Sequence, residues 1–270
     1  RRLDLWRLRN FTISRLDTDG DVLLYRCVAP GNDADVRLVA IAQVRELTVV
    51  RDGAGRVTSL PQAERAVASC LDAVRRARAV AAAAAAESGG GRAGRQVLDM
   101  NHIWLHIWPV ITAPVEQLTA LKRTIAPLTV GAGVEEVVAQ GQIMQDGDAP
   151  IAVSARFYYQ PGSGVEVSVS GPPRSRLQPL DDYAQKVLRS RRRGTVYPYE
   201  VLPLLTEDGG TFVEHDLVES ADGVRLAPVD RPAGGNSAGV VVGVASTPSD
   251  RFPEGMSRVV LIGDPTKALG

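Results

Sequence analysis

An α+β fold is what the residues predict: an antiparallel sheet with helices packed on one of its faces. Alternating apolar and polar residues mark several strands, most sharply over Met100–Trp108. Two helical runs open with a capping residue and a proline in the first turn. Three alternating runs between 134 and 170 are joined by turn residues, which is the pattern of a meander with one wet face. The order of strands, helix, strand, helix and three strands puts the helices together on one side of a sheet.

Val22–Val28 is rich in sheet-forming types, Pro30–Asp33 supplies turn chemistry, and Val36–Val44 is the next strand. Ser59-Leu-Pro-Gln62 reads as a helix start, with Ser59 as cap, Gln62 at the capping-box position and Pro61 in the first turn. Val67, Cys70, Leu71 and Val74 then follow helical spacing, and an alanine run carries the helix to about Glu87. Gly89–Gly94 ends it in a loop. In Met100–Trp108, Ile103, Leu105 and Ile107 face one side, while His102, Trp104, His106 and Trp108 face the other. Pro109 is expected to close that strand soon after. Thr112 is expected to cap a second helix, with Pro114 in its first turn, a stripe of Leu118, Leu121 and Ile125, and Pro127 at its end. The meander follows as Val134–Met144, a run from Ile151 to Tyr159, and a run from Val165 to Val169, with turns at Asp146-Gly147 and 160–164. Gly171-Pro-Pro173 reads as a linker, giving a first domain over 1–171 and a second over 172–270. The second opens with a helix over Leu180–Ser190 and is rich in turns at 208–210, 222–223 and 234–236. It ends on two buried-looking strands, Gly239–Ala245 and Arg258–Gly263, and is expected to be incomplete because the chain stops shortly afterwards.

Composition narrows the function classes. The chain has 270 residues, 44% of them hydrophobic, which suffices for an ordinary core. Its 31 basic and 31 acidic residues balance, arguing against a protein that grips nucleic acid or a membrane surface. Two isolated cysteines, Cys27 and Cys70, make neither a metal pattern nor a disulfide framework, and a reducing cytoplasm is expected. His102 and His106 invite a metal reading, but four residues along a strand separate side chains by roughly 13 Å, so no chelate is expected. Gly131-Ala-Gly133 is a poor dinucleotide loop, because it precedes a strand and Glu136 stands at the third glycine position. Arg189, Arg191, Arg192 and Arg193 cluster near the end of a helix. They either suit its dipole or contact the phosphates of a CoA or another domain. In Glu214-His215-Asp216 alternate residues face opposite sides of a strand, so His215 reads as a surface residue and not as part of a relay. No catalytic residue and no metal ligand is assigned.

Five motifs, in order along the chain, resemble a known family. They are Arg7-Leu-Arg-Asn-Phe11, Asn101-His-Ile-Trp-Leu-His-Ile-Trp-Pro109, Arg193-Gly-Thr-Val-Tyr-Pro-Tyr199, Pro232-Ala-Gly-Gly-Asn-Ser-Ala-Gly-Val240, and Pro253-Glu-Gly255 with Val259–Gly263. Together they are similar to the region of multidomain biotin-dependent acetyl-CoA and acyl-CoA carboxylases where the last central domain meets the carboxyltransferase, as in a single-chain bacterial enzyme. The stretch 81–94 departs from that pattern. The resemblance implies a noncatalytic scaffold domain over 1–171, then the incomplete start of a crotonase-like carboxyltransferase domain. It implies a parent enzyme that moves a carboxyl group from carboxybiotin to the α-carbon of an acyl-CoA, as in fatty acid biosynthesis. Biotin on its carrier, and the biotin carboxylase that uses ATP and Mg, are then expected outside this segment. The other domains of the same polypeptide and a second copy in a homo-oligomer are the implied partners. A noncatalytic scaffold that stands alone is the alternative.

Overall fold

A computed structural model of the chain describes residues 3–87, 98–129, 131–144, 149–160, 162–206, 209–220 and 223–267. It divides into two compact units, Arg1–Leu180 and Asp181–Gly270. The expected loop at 89–94 and turn at 146–147 lie outside the described residues.

The first unit is built on a seven-stranded sheet. Its strands are β1 (Thr12–Leu16), β2 (Leu23–Ala29), β3 (Asn32–Val44), β6 (Asn101–Thr112), β7 (Val134–Met144), β8 (Ile151–Gln160) and β9 (Gly164–Ser170), side by side in that order. Two short strands, β4 (Val50–Arg51) and β5 (Val57–Ser59), pair with each other. The meander β7–β8–β9 is antiparallel as its turns require, and so are β1–β2 and β2–β3. The sheet as a whole is mixed and not antiparallel, because β6 runs parallel to both β3 and β7. The connections explain the difference. A tight turn reverses a strand, whereas the long links holding α1 (Pro61–Glu87) and α2 (Lys122–Thr129) return the chain to its starting end.

Both helices cover the same face, as expected. Val67, Cys70, Leu71 and Val74 of α1 pack with Leu118, Leu121 and Ile125 against Ile103, Leu105, Val137 and Phe157 of the sheet. Burial along α1 ends at Val74, so its alanine-rich second half lies largely outside the core. Glu64 makes its N-terminal cap by accepting from the Ser59 hydroxyl (2.8 Å) and the Leu60 N–H (3.0 Å), while Gln62 turns away to Thr48. Three expectations for the following segment are corrected. Pro109 does not end β6 but sits where its register to β7 shifts, a bulge that removes the need for a donor. Thr112 is the last residue of β6 and not a helix cap, and a 3-10 segment, Val115–Leu121, leads into α2. Pro127 lies inside α2, which continues to Thr129.

The other face of the sheet is closed by the chain's first turn. Leu8 and Phe11 pack on Cys27, Val39, Ile41, Trp104 and Val138. Residues beyond 171 also belong to this unit, so its boundary lies at Leu180 and not at 171. The Leu177 N–H donates to the Arg7 carbonyl (2.8 Å), Arg37 to that of Gln178 (2.9 Å), and the Leu180 N–H to Asp35 (2.8 Å). The Pro-rich stretch is therefore a strap and not a free linker.

In the second unit, α3 (Asp182–Arg192) starts on an Asp181 cap that accepts from the Ala184 N–H (2.7 Å). Pro198 opens a short helix, α4 (Pro198–Leu205), that the sequence did not reveal. Strands β10 (Thr211–Ser220), β11 (Gly223–Pro228), β12 (Val240–Ser249) and β13 (Phe252–Gly263) form an antiparallel sheet in the order β11-β10-β12-β13. Its core is small: Tyr197, Tyr199, Leu202 and Val241, with Tyr183, Val187 and Phe212 packed around them. The expectation of two buried strands holds only in part. β12 is internal, but β13 is an edge strand, and its Val259 and Leu261 are exposed on the same outer face as Val213, Leu217 and Leu226. Among the described residues no helix is long and apolar enough to cross a membrane.

Asn101 ties the start of β6 to its surroundings. Its Oδ1 accepts from the Leu38 N–H (2.8 Å), and its Nδ2 donates to the Leu98 (2.9 Å) and Gly133 (2.8 Å) carbonyls. Replacing it with alanine unpairs buried backbone groups, so Asn101→Ala is expected to cost about 2–4 kcal/mol. A lower urea midpoint with an unchanged slope is the expected result.

Candidate functional site

The alternation of β6 places His102, Trp104 and His106 on the sheet face opposite the helices. The registers of β7 and β8 bring Glu136, Val138, Ser154 and Arg156 beside them. The first turn and the strap wall this polar surface into a cavity of about 340 Å³, whose lining includes Arg7, His102, Glu136, Arg156, Arg176 and Leu177.

Arg7 is one of several nearly buried charges there, at 7% exposure. Its guanidinium lies 4.5 Å from the centre of the Trp104 ring, a cation–π contact. Burial pushes its pKa down, opposed by Glu136 and Asp4, yet an arginine stays charged at any ordinary pH. Its Nε and Nη1 are buried and find no hydrogen-bond partner among the described residues. Asp4, in the left-handed region at φ 53°, accepts from Trp6 Nε1 (3.1 Å) and Gln140 Nε2 (2.6 Å) and so pins the turn that carries Arg7.

Glu136 is the second anchor. His102 Nδ1 donates to its Oε1 (3.1 Å) and Arg156 Nε donates to its Oε2. Burial alone would raise its pKa, but these bonds and the two nearby charges hold the carboxyl down to about 2. Arg156 also stacks 4.8 Å from the Tyr158 ring centre. Burial lowers the pKa of His106, with Asp4 opposing and Arg7 reinforcing. This constellation offers fixed positive charge and hydrogen-bond donors, which suits binding more than bond-making chemistry. Neither cysteine contributes, since burial pushes both thiols up to about 12.

The residues the sequence nominated lie elsewhere or serve the fold. Arg189, Arg191 and Arg192 are in the last turn of α3, in the second unit, and Arg193 follows as its C-cap. Arg191 Nη2 is 3.6 Å from Glu200, and Arg193 donates to the Pro265 carbonyl. Glu214 and Asp216 both take Arg231, while His215 Nδ1 lies 3.0 Å from the Val213 carbonyl. The loop after Arg231 is held by Lys186 Nζ on the Gly234 carbonyl (2.8 Å) and by Asn236 Nδ2 on Asp264 (2.9 Å). The sequence reading passed over Glu136, Arg156 and Arg176. The available signal was weak, because Glu136 and Arg156 stand on the polar face of their strands, where a charge ordinarily meets water, and Arg156 is exposed while Glu136 is buried.

Because Glu136 titrates far below its ordinary 4.5, its contribution to stability is complete above that value and is lost as pH falls toward about 2. Glu136→Gln is expected to destabilise the protein by about 2–3 kcal/mol at pH 7 and to flatten the acid limb between those values. Thermal melts of both proteins from pH 7 to pH 3 check this.

No protein-family model matches the chain, and no curated protein matches it. Among solved structures, the central domain of yeast acetyl-CoA carboxylase is similar to it at 15% identity, with a TM-score of 0.45, over 86% of this chain and 26% of that one. The chain therefore spans about a quarter of the length of that neighbour.

Proposed function

We propose that the chain is part of a biotin-dependent acyl-CoA carboxylase. In this reading the first unit is a noncatalytic spacer and the second is the beginning of a crotonase-like carboxyltransferase. The observation that carries the reading is the order of the five motifs, together with the work that their residues do. Asn101 and Trp104 sit at the centre of the first sheet, and Tyr197 and Tyr199 make the core of the second unit. Gly234 has φ 84°, which disfavours any side chain, and a Cβ there would crowd Tyr197 (3.1 Å) and Tyr183 (3.3 Å), while Asn236 anchors its loop. Residues that build a fold are what a shared scaffold retains, so motifs of this kind support a likeness of architecture and not of an active site.

The reading assigns the biotin carrier and the ATP- and Mg-dependent carboxylase to other domains of the parent, and no step of the reaction to a side chain of this chain. Arg189, Arg191, Arg192 and Arg193 keep a role in it as candidates for contacts to CoA phosphates or to another domain. A cytoplasmic homo-oligomer is the expected setting.

The test is a carboxylation assay on the parent polypeptide and on this chain. The parent is expected to react on a streptavidin blot and to fix labelled bicarbonate onto acetyl-CoA or propionyl-CoA in an ATP-dependent, avidin-sensitive manner. The 270-residue chain with added carboxybiotin is expected to give no turnover above blank. A parent without biotin, or turnover by this chain alone, overturns the reading.

A further inference from the structure

We propose that the outer face of the β11-β10-β12-β13 sheet is the interface of a homodimer, on which the same face of a second copy of this chain packs. The carboxylase reading expects a homo-oligomer but names no surface for one, and the inference does not depend on that reading. Its first support is which residues point outward. The strand pairings put Val213, Leu217, Val224, Leu226, Val259 and Leu261 on this face, and each is 45–71% exposed. Val242 opposite Leu261 and Val244 opposite Val259 make the apolar rows continuous. A sheet with one wet face ordinarily turns its charges outward. Here the acids of β10 do the reverse: Glu214 and Asp216 stand on the opposite face and share Arg231. Within the paired rows only His215 and Glu219 bring a titratable group to the outer face, and Glu219 stands at its rim, beside the hairpin end.

The second support is extent. The six side chains together expose on the order of 600 Å², the top of the range that a soluble monomer leaves in one apolar patch. Two such faces pressed together bury on the order of 1,200 Å² of apolar area, which reaches the size class of stable protein interfaces. The third support is shape, and it selects the occupant. Four strands about 4.8 Å apart make a face about 15–20 Å wide. A single helix with its side chains is about 10 Å across and leaves much of that width in water. A second sheet of the same width covers all of it, and two sheets stack about 10 Å apart with their apolar side chains interleaved. The face has no fixed charge at its centre that calls for an opposite one. It is therefore complementary to itself, which is what a two-fold dimer requires.

Sedimentation equilibrium of the purified chain at pH 7, from about 1 to 100 µM, tests the proposal. A reversible step from one chain mass to two is expected, with a Kd of about 10 µM or tighter. Leu217→Lys on β10 and Leu261→Lys on β13, made separately, each set a charge against the partner and are expected to raise Kd about tenfold or more. Both side chains are exposed, so neither substitution removes a core contact. Far-UV circular dichroism verifies the fold of each, and one variant reports where the other does not fold. Val80→Lys, at an exposed position of α1, is the control and is expected to leave Kd unchanged. The proposal is overturned by a chain that stays monomeric up to about 100 µM, which leaves the face to another partner. It is equally overturned by growth into open-ended aggregates, by a dimer that survives in either folded face variant, or by a control that weakens the dimer as much as they do.

Discussion

A strand with parallel neighbours on both sides is reached only through crossover connections, and those must run over the sheet. β6 occupies that position in the first unit, and the rest of the unit follows from it. Its two crossovers carry α1 and α2, which cover one face with the stripe from Val67 to Ile125. Its other face presents Trp104 and needs a cover of its own, which the first turn supplies with Leu8 and Phe11. Asn101 fixes where the strand begins by satisfying Leu38 on one side and Gly133 on the other. Neither layer would have a surface to pack on if β6 were displaced.

The polar cavity is a consequence of the same arrangement. The second face has no helix to bury it, so it is closed by irregular segments from distant parts of the chain. Such segments bring backbone groups that must be paired, and Arg7, Asn10, Asp35 and Arg37 meet that need with bonds to or from residues 177–180. The charges that remain gather around Glu136. The electrostatics of the cavity thus arise from how the sheet is covered.

What could be read from the sequence was local. The stripe Val67, Cys70, Leu71 and Val74, the two faces of β6 and the three strands of the meander depend on residue period alone, and each matches the structure. The parallel pairing of β6 could not be read, because period carries no information on strand direction. The boundary at 171 failed because two prolines suggest a linker, whereas the bonds to Asp35 and Arg7 that hold this stretch are non-local. β10 was legible only as a short strand around His215 and not over its full span, since Glu214 and Asp216 interrupt the apolar alternation, and their ion-pair partner Arg231 comes after the next strand. The cavity was illegible for the same reason: Arg7 and Glu136 meet only after the sheet has formed.

The long helix α1 has two halves of different character. The half up to Val74 is held by side chains buried in the core, while the half that ends at Glu87 owes its helicity chiefly to alanine, the strongest helix former. Nucleation and the core anchor the first half, and the second is a propagated extension whose opening exposes little new apolar surface. Amide protons should accordingly exchange with solvent on a gradient along one continuous helix. They should be protected to the level of global unfolding near Cys70 and exchange progressively faster by local fraying toward Glu87.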